Sequence, residues 1–300
     1  MSAAIEVVGL RKVYGDLVAA DDISLTVRAG EMFGILGPNG AGKTTTLEMI
    51  EGLREPDAGE ARLLGLPTWP RNEQLLPRIG VQLQSSAFFD LLTAREQIRT
   101  FAALYGVPAR RADDWLERVG LADKAATRSD KLSGGQLQRL AIACALVHEP
   151  EVVFLDEPTA GVDPQARRNL WDLLRGLNEE GRTLVLTTHY LDEAEALCDR
   201  VAIMDRGRVL ELDPPAALVR GLDAPVHIYV APHEVTLEQA RALPGVETAE
   251  DDGTAVVLTT HRPSEVLTRL AELEALEGLQ VRAATLEDVF LDLTGREYRA

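Results

Sequence analysis

The chain has 300 residues, 46% of them hydrophobic and 26% charged, which is the composition of a globular protein long enough for two domains. Its formal net charge of −17 argues against a nucleic-acid surface, because clustered lysine and arginine bind phosphate backbones. The longest apolar run, residues 140–147, is too short to span a bilayer, and no signal-peptide pattern is evident, so we expect a cytoplasmic protein.

Two short segments near the start of the chain alternate between apolar and polar residues. Residues 5–8 and 23–27 therefore predict two strands of a small antiparallel sheet. Tyr14 lies between them, where an exposed ring could stack on a purine base with Val18 packed beside it. Packing at a strand end explains the same spacing equally well, and the residues alone leave both interpretations open.

The next feature is a phosphate-binding loop. Residues 37–44 read GPNGAGKT and fit the pattern G-x-x-x-x-G-K-[S/T], between an apolar strand at 32–36 and a helix at 45–50. The glycines let successive N–H groups point at phosphate oxygens, and the helix adds its positive end. We expect Lys43 to reach the β- and γ-phosphates and the Thr44 hydroxyl to bind Mg²⁺. The predicted binding residues of this loop are Gly37, Pro38, Asn39, Gly40, Ala41, Gly42, Lys43, Thr44 and Thr45.

A second glycine-rich turn follows a mainly helical insert at about residues 85–131. Residues 132–139 read LSGGQLQR and lead directly into an apolar helix predicted at 140–147. A Ser-Gly-Gly turn at a helix start is a second anion-binding end. One chain has no need for two such ends in the same cleft, so the pattern predicts that two copies combine.

Two apolar strands lead into polar side chains. Residues 152–155 precede Asp156 and Glu157, and residues 184–188 precede His189. Continuous apolar runs indicate central parallel strands, and ligands gather at the carboxyl ends of such strands. We expect Asp156 to hold a magnesium-bound water and Glu157 to orient, or take a proton from, an attacking water. A histidine after a strand is usually structural, but its place at this edge favours a role in the site.

The remaining residues predict a separate small domain. Pro214-Pro215 and the stretch 221–225 place a boundary near residue 222, which divides the chain into 1–222 and 223–300. The second part predicts a split β-α-β-β-α-β order, followed by an amphipathic helix at 286–293. It contains no catalytic constellation, so we interpret it as a packing or dimerisation module.

These motifs together resemble the nucleotide-binding subunit of ATP-binding-cassette (ABC) transporters, over residues 5–220. Residues 37–44 correspond to the Walker A motif, 132–136 to the LSGGQ signature, and 152–157 to Walker B with its catalytic glutamate. The shorter matches are Tyr14 at the adenine-stacking aromatic, Gln84 at the Q-loop, Asp163 in the D-loop and His189 at the switch histidine. The resemblance implies an α/β fold, with a P-loop NTPase core, a small antiparallel β subdomain and a helical insert, plus an α+β C-terminal domain.

The resemblance also implies an ATPase whose sites form between two copies. Each ATP then lies between residues 37–44 of one copy and the signature turn of the other. Lys43 neutralises the γ-phosphate, Glu157 polarises the water, and His189 holds that arrangement. The signature residues implied are Ser133, Gly134, Gly135 and Gln136, and the implied magnesium ligands are Thr44, Gln84 and Asp156.

The tail resembles one group within this family. Residues 285–291 and 293–296 are similar to the C-terminal ending of bacterial drug-resistance exporters of the daunorubicin-resistance type. In such systems the permease is a separate chain, so the ATPase lies on the inner face of the membrane, and the helical insert beside Phe88-Phe89 passes closure to the permease. The cargo predicted is a drug or another hydrophobic compound. A lipid, polysaccharide or ion exporter, or a soluble ABC ATPase acting on ribosomes or DNA, remains an alternative.

Overall fold

A computed structural model describes residues 2–83 and 88–295 of the chain. The strands are β1 (Ala3–Tyr14), β2 (Leu17–Arg28), β3 (Met32–Leu36), β4 (Ala58–Leu63), β5 (Leu66–Pro67), β6 (Ile79–Gln82), β7 (Val152–Asp156), β8 (Thr183–Thr188), β9 (Arg200–Asp205), β10 (Arg208–Asp213), β11 (Val226–Val230), β12 (Thr248–Asp251), β13 (Val256–Thr260) and β14 (Gln280–Arg282). The helices are α1 (Lys43–Ile50), α2 (Ala94–Leu104), α3 (Ala109–Arg118), α4 (Gly134–Leu146), α5 (Pro164–Glu179), α6 (Leu191–Leu197), α7 (Pro215–Gly221), α8 (Leu237–Ala242), α9 (Pro263–Glu272) and α10 (Leu286–Thr294).

A mainly parallel sheet positions the predicted site. Its strand order is β10-β9-β3-β8-β7-β6; the strands from β9 to β6 run parallel to one another, and β10 pairs antiparallel with β9. Every residue of β3, β7 and β8 is buried, which explains why these strands have continuous apolar sequences without alternation. Because β3, β8 and β7 are adjacent, the residues that follow them meet at one edge of the sheet.

An antiparallel sheet of order β2-β1-β4-β5 shares a hydrophobic core with the parallel sheet. The strands predicted at 5–8 and 23–27 lie within the longer β1 and β2. Ile5, Leu10 and Ile23 are buried in that core; Ile5 and Leu10 both face inward because the alternation of β1 is shifted by an irregularity between Val7 and Leu10.

The helical insert is mainly helical, as predicted, within the residues described. Helices α2 and α3 are followed by two short 3₁₀ turns, at Ala122–Lys124 and Ser129–Lys131. The prediction that the next helix begins at Leu140 was wrong, because α4 already begins at Gly134. The Ser133 side chain accepts a hydrogen bond from the Gln136 N–H and so caps the helix, which begins six residues before its predicted start.

The chain divides into two compact units, the first ending at Pro215 and the second beginning at Ala216. This boundary lies before the predicted residue 222, since most of α7 falls in the second unit. The second unit contains a sheet of order β12-β13-β11-β14, in which all neighbours are antiparallel. Residues from this sheet, α8 and α9 form its own hydrophobic core. The β-α-β-β-α-β order is the one predicted.

None of the helices within the described ranges is long and apolar enough to cross a membrane.

Candidate nucleotide-binding site

The phosphate loop connects β3 to α1, and two of its glycines are fixed by neighbouring backbone. Gly42 has a φ of 98°, and a Cβ there would lie 2.1 Å from the Ala19 carbonyl oxygen. A Cβ at Gly37 would lie 2.3 Å from the Met204 carbonyl oxygen. Side chains are therefore excluded at both positions, which leaves the loop backbone facing the space where phosphate would bind.

Lys43 is buried at the first turn of α1. Its Nζ donates hydrogen bonds to the Gly37 carbonyl at 2.8 Å and the Pro38 carbonyl at 3.3 Å, and it lies 3.4 Å from Glu157 Oε1. Burial lowers the pKa of Lys43, although the charge of Glu157 acts in the opposite direction. The ammonium group is thus held inside the loop, next to a carboxylate that favours its charged form.

A hydroxyl and a carboxylate that suit Mg²⁺ already lie side by side. Thr44 Oγ1 donates to Asp156 Oδ2 at 3.1 Å, and Thr187 Oγ1 donates to Asp156 Oδ1. Burial raises the pKa of Asp156, while these two hydrogen bonds oppose the shift. Hard oxygen ligands of this kind fit magnesium, which binds through one or two protein oxygens plus phosphate and water.

Glu157 occupies a backbone conformation that is uncommon for a residue with a side chain. Its φ is 48°, and its N–H donates to Thr187 Oγ1 at 3.0 Å. On the side-chain end, Oε2 lies 3.1 Å from His189 Nδ1, while Oε1 faces Lys43. Strained residues of this type cluster at functional sites, and here the strained backbone turns the carboxylate toward the phosphate loop.

An open cavity of about 310 Å³ lies over the loop. Tyr14 lines it with 40% of its surface exposed, and the cationic groups of Lys12 and Arg54 lie 5.8 Å and 5.4 Å from its ring centroid. The packing of Val18 beside Tyr14 stays a prediction, and the residues of β2 that line the cavity are Leu17 and Ala19. Strand alternation places residues 17 and 19 on one face of β2, and this period-two signal could have identified them from the sequence. The remaining lining residues are Asn39, Gly40, Ala41, Gly42, Lys43, Thr44, Thr45 and Glu157.

The signature turn lies elsewhere on the chain and does not line this cavity. Ser133 and Gln136 form a reciprocal cap at the start of α4, with the Ser133 N–H donating to Gln136 Oε1 at 2.9 Å. The turn packs against the segment after β7: a Cβ at Gly134 would lie 3.8 Å from the Gly161 carbonyl oxygen, and one at Gly135 would lie 3.1 Å from Ala166 Cβ. Ser133 and Gly134 are exposed.

The structure thus brings together most, but not all, of the predicted site residues. The phosphate loop, Tyr14, Asp156, Glu157 and His189 meet at one edge of the parallel sheet. Asp163 caps α5, where its side chain accepts from the N–H groups of residues 165 and 166. Gln84 lies outside the described residues.

Gln82 is a residue that the sequence interpretation missed. It ends β6, is buried, and its Nε2 donates to the Leu83 carbonyl at 2.6 Å and to the Asp156 carbonyl at 3.5 Å. A polar side chain at the end of an otherwise apolar strand was the signal available in the sequence. Through Asp156 it connects the strand before the helical insert to the candidate magnesium site.

Comparison with known proteins supports one family. Residues 20–160 match the model of the ABC transporter family. The Nod factor export ATP-binding protein I of Paraburkholderia xenovorans (strain LB400) is 42% identical over 302 aligned positions, covering 98% of each chain. The chain belongs to the ABC transporter family of ATP-binding proteins. This ABC ATPase therefore has the P-loop NTPase fold predicted from its motifs.

Solved structures agree with this assignment. CbiO1 from Clostridium perfringens, part of the ABC transporter complex cbiONQ, is 30% identical, with a TM-score of 0.66 over 74% of this chain and 95% of that one. A dimeric ABC cassette in a post-hydrolysis state with bound ADP and phosphate is 29% identical, with a TM-score of 0.64 over 70% of this chain and 98% of that one. The predictions of an ABC ATPase and of its α/β fold are therefore confirmed.

Proposed function

We propose that two copies of this ABC ATPase close head to tail around two ATP molecules and energise export through a separate membrane permease. One observation carries the proposal. The side chains of Lys43, Asp156, Glu157 and His189 lie together beside the phosphate loop, while the signature turn lies exposed elsewhere on the chain. Within one chain, the phosphate loop and the signature turn do not face the same cavity. The loop of one copy and the turn of a second copy can face the same cavity. The dimeric relative with ADP and phosphate supports this arrangement.

Catalysis within this site rests on positioning and charge. Tyr14 stacks on the adenine, the loop N–H groups and Lys43 hold the phosphates, and Ser133 to Gln136 of the second copy close over the γ-phosphate. Thr44 and Asp156, together with the sequence-predicted Gln84, would hold Mg²⁺, which would supply charge compensation on the phosphates. Glu157 accepts a proton from the attacking water, and His189 keeps that carboxylate in place. Asp163 fixes the segment on which the signature turn rests.

The proposed permease partner follows from the family and from the chain itself. The relatives are named for export of Nod factor, which supports export and leaves the prediction of a drug cargo untested. The C-terminal ending of the chain is the reason for proposing a drug or another hydrophobic compound. The protein then lies on the inner face of the membrane through its permease, and the helical insert near Phe89 passes ATP-driven closure to that chain.

Mixed variants test the shared site. Lys43→Ala removes the phosphate ligand of one element, and Ser133→Arg blocks the other, so each protein alone is inactive. In an equal mixture, only the mixed dimer holds one intact site, so we expect ATPase activity that neither variant has alone, up to about a quarter of the wild-type rate. A mixture no more active than its components would show that the site is not shared. Cosedimentation with ribosomes rather than detergent-solubilised membrane protein would contradict the permease partner.

A further inference from the structure

Four glutamates are buried within the described residues, and one of them lies four positions after the switch histidine. Glu157 belongs to the site described above, and Glu31 is paired with Arg200, with Oε1 3.2 Å from Nη1. Glu51 lines a cavity of about 180 Å³ after α1, and neither of its carboxyl oxygens has a hydrogen-bond partner in the described part of the chain. Glu193, in the first turn of α6, is fully buried. Burying a carboxyl group is costly, so its place beside the site calls for an explanation.

The carboxyl group of Glu193 joins three other segments of the chain. Trp171 of α5 donates a hydrogen bond from Nε1 to Oε1 at 3.0 Å. The hydroxyl groups of Thr188, at the end of β8, and of Thr159, between β7 and α5, lie next to the same carboxyl group. Burial raises the pKa of Glu193, and interactions with these three side chains oppose that rise. The carboxyl group therefore connects α6 with β8, with α5 and with the segment between β7 and α5.

His189 lies between two parts of the chain that Glu193 holds. Thr188, immediately before it, lies next to the Glu193 carboxyl group, and α6, whose first turn contains Glu193, begins two residues after it. Thr188 Oγ1 also accepts a hydrogen bond from the Tyr190 N–H at 2.9 Å, which links the residues on either side of His189. Helix α6 has no side-chain hydrogen bond at its N-cap residue, Tyr190. The contacts of Glu193 are therefore the ones that fix the start of this helix relative to the end of β8.

Two neighbouring threonines of β8 connect this contact to the reacting groups. Thr187 Oγ1 accepts a hydrogen bond from the Glu157 N–H at 3.0 Å. Side chains alternate along a strand, so Thr188 is directed to the opposite face, where Glu193 lies. The next residue, His189, has Nδ1 3.1 Å from Glu157 Oε2. The end of β8 thus holds the backbone of Glu157 on one side and is held by Glu193 on the other.

We propose that Glu193 is a positioning residue for ATP hydrolysis, which holds His189 at the distance from Glu157 that catalysis requires. This inference rests on the proposed function, in which His189 keeps the Glu157 carboxylate in place. Glu193 does not line the cavity over the phosphate loop, so it acts through His189 and not on the nucleotide. A small displacement of a reacting group slows catalysis strongly. Loss of Glu193 therefore lowers kcat and leaves ATP binding unchanged.

The first test compares Glu193→Ala with Glu31→Ala in the full chain. Both variants remove a buried and partnered carboxyl group, but Glu31 precedes β3, at the opposite end of that strand from the phosphate loop. We expect kcat of Glu193→Ala to fall by about tenfold or more with an unchanged dissociation constant for ATP. Glu31→Ala should keep both values, and urea unfolding measures the stability that each variant loses. Equal kcat values in the two variants, or a parallel loss of ATP affinity in Glu193→Ala, would overturn the proposal.

A double-mutant cycle shows whether Glu193 acts through His189. In a His189→Ala background, the additional Glu193→Ala substitution should leave kcat unchanged, because the side chain that it positions is already absent. A further fall as large as the one in the wild-type background would overturn the inference and leave the proposed function intact. If His189→Ala alone hydrolysed ATP at the wild-type rate, the role of His189 in the proposed function would be contradicted instead.

The ring resonances of His189 in NMR spectra of the full chain report the position of the side chain directly. They should shift in Glu193→Ala and keep their wild-type positions in Glu31→Ala, and unchanged resonances in Glu193→Ala would overturn the proposal. If Glu193→Ala does not fold, Trp171→Phe takes its place in the cycle, because it keeps an aromatic ring and removes the hydrogen bond to Glu193 Oε1. We expect a lower kcat for Trp171→Phe with unchanged ATP affinity, and a wild-type kcat would then overturn the proposal.

Discussion

The candidate nucleotide-binding site and the cavity lined by Glu51 both bury carboxyl groups away from water. The two regions differ in the partners that those carboxyl groups have. Asp156 accepts hydrogen bonds from two threonines, and Glu157 lies between Lys43 and His189. Glu51 has no such partners within the described residues. Because burial without compensation is costly, the carboxylates of the first region are stabilised by partners within the chain, whereas burial disfavours the charged form of Glu51 in the second.

The largest expected effect is on the ATPase rate, when the carboxylate of Glu157 alone is changed. Glu157→Gln keeps the shape of the side chain but removes the proton acceptor, so we expect the ATPase rate to fall by about 100-fold or more. ATP affinity should remain close to that of wild type, because the phosphate contacts are unchanged. Phosphate release and nucleotide titration measure the two quantities, with Glu55→Gln as the control. A rate near that of wild type would remove Glu157 from the mechanism.

The second prediction concerns how tightly the phosphate loop is enclosed. Gly42→Ala places a methyl group 2.1 Å from the Ala19 carbonyl at a positive φ, so we expect a loss of about 2 to 3 kcal/mol in the free energy of unfolding. Gly40 also has a positive φ of 80°, but no atom lies within 4 Å of its Cβ position. Gly40→Ala should therefore cost only about 1 kcal/mol. Urea unfolding without nucleotide compares them, and equal losses would show that the close backbone approach is unimportant.

The third prediction uses pH to test the unpartnered carboxyl group. With its folded-state pKa near 8 and an ordinary value of 4.5, Glu51 holds a proton in the folded protein that the unfolded chain has lost between these values. Stability therefore falls as pH rises through this range. The free energy of unfolding of wild type minus that of Glu51→Gln should fall by about 1.4 kcal/mol per pH unit between about pH 5 and 8.

Urea titrations at a series of pH values provide this measurement. The corresponding difference for Glu55→Gln should stay flat, because that side chain is exposed. A pH-independent difference between wild type and Glu51→Gln would mean that Glu51 is compensated in the folded protein and that the contrast between the two regions is false.

The smallest effect distinguishes two helix caps with the same local geometry. Ser133 caps α4 with Gln136, and Thr93 caps α2 with Glu96, each through a reciprocal pair of hydrogen bonds. Ser133→Ala and Thr93→Ala should each lower the free energy of unfolding by about 1 kcal/mol. Of the two, Ser133→Ala alone should weaken ATP-dependent dimerisation, measured by analytical ultracentrifugation. Equal dimerisation would restrict Ser133 to its capping role.

The sequence predicted those parts of the fold that depend on local pattern. Strands β7 and β8 were recognised because central parallel strands are apolar throughout, and this also placed Glu157 and His189 at a common edge. The elements of the second unit followed from their alternation and helical periodicity. The start of α4 was missed because glycines at 134 and 135 suggest a turn, whereas the Ser133 cap extends the helix through them.

Features that depend on packing could not be predicted in this way. Glu51 follows α1 and resembles an ordinary C-terminal polar residue, and the cavity that it lines is formed by segments distant in sequence, among them residues 68–81, α2 and α4. The positive φ of Glu157 also has no local signal, and the N–H of this residue donates a hydrogen bond to Thr187 on the neighbouring strand. Both are tertiary properties, in which residues distant in sequence define the environment of one side chain.

The most direct test of the shared site is the molar mass of the Glu157→Gln protein by light scattering, with and without Mg-ATP. Because this variant binds ATP without hydrolysing it, the account predicts a monomer without nucleotide and a dimer with Mg-ATP, and the same protein carrying Ser133→Arg should stay monomeric. A Glu157→Gln protein that binds ATP and remains a monomer would contradict a site completed by a second copy alone.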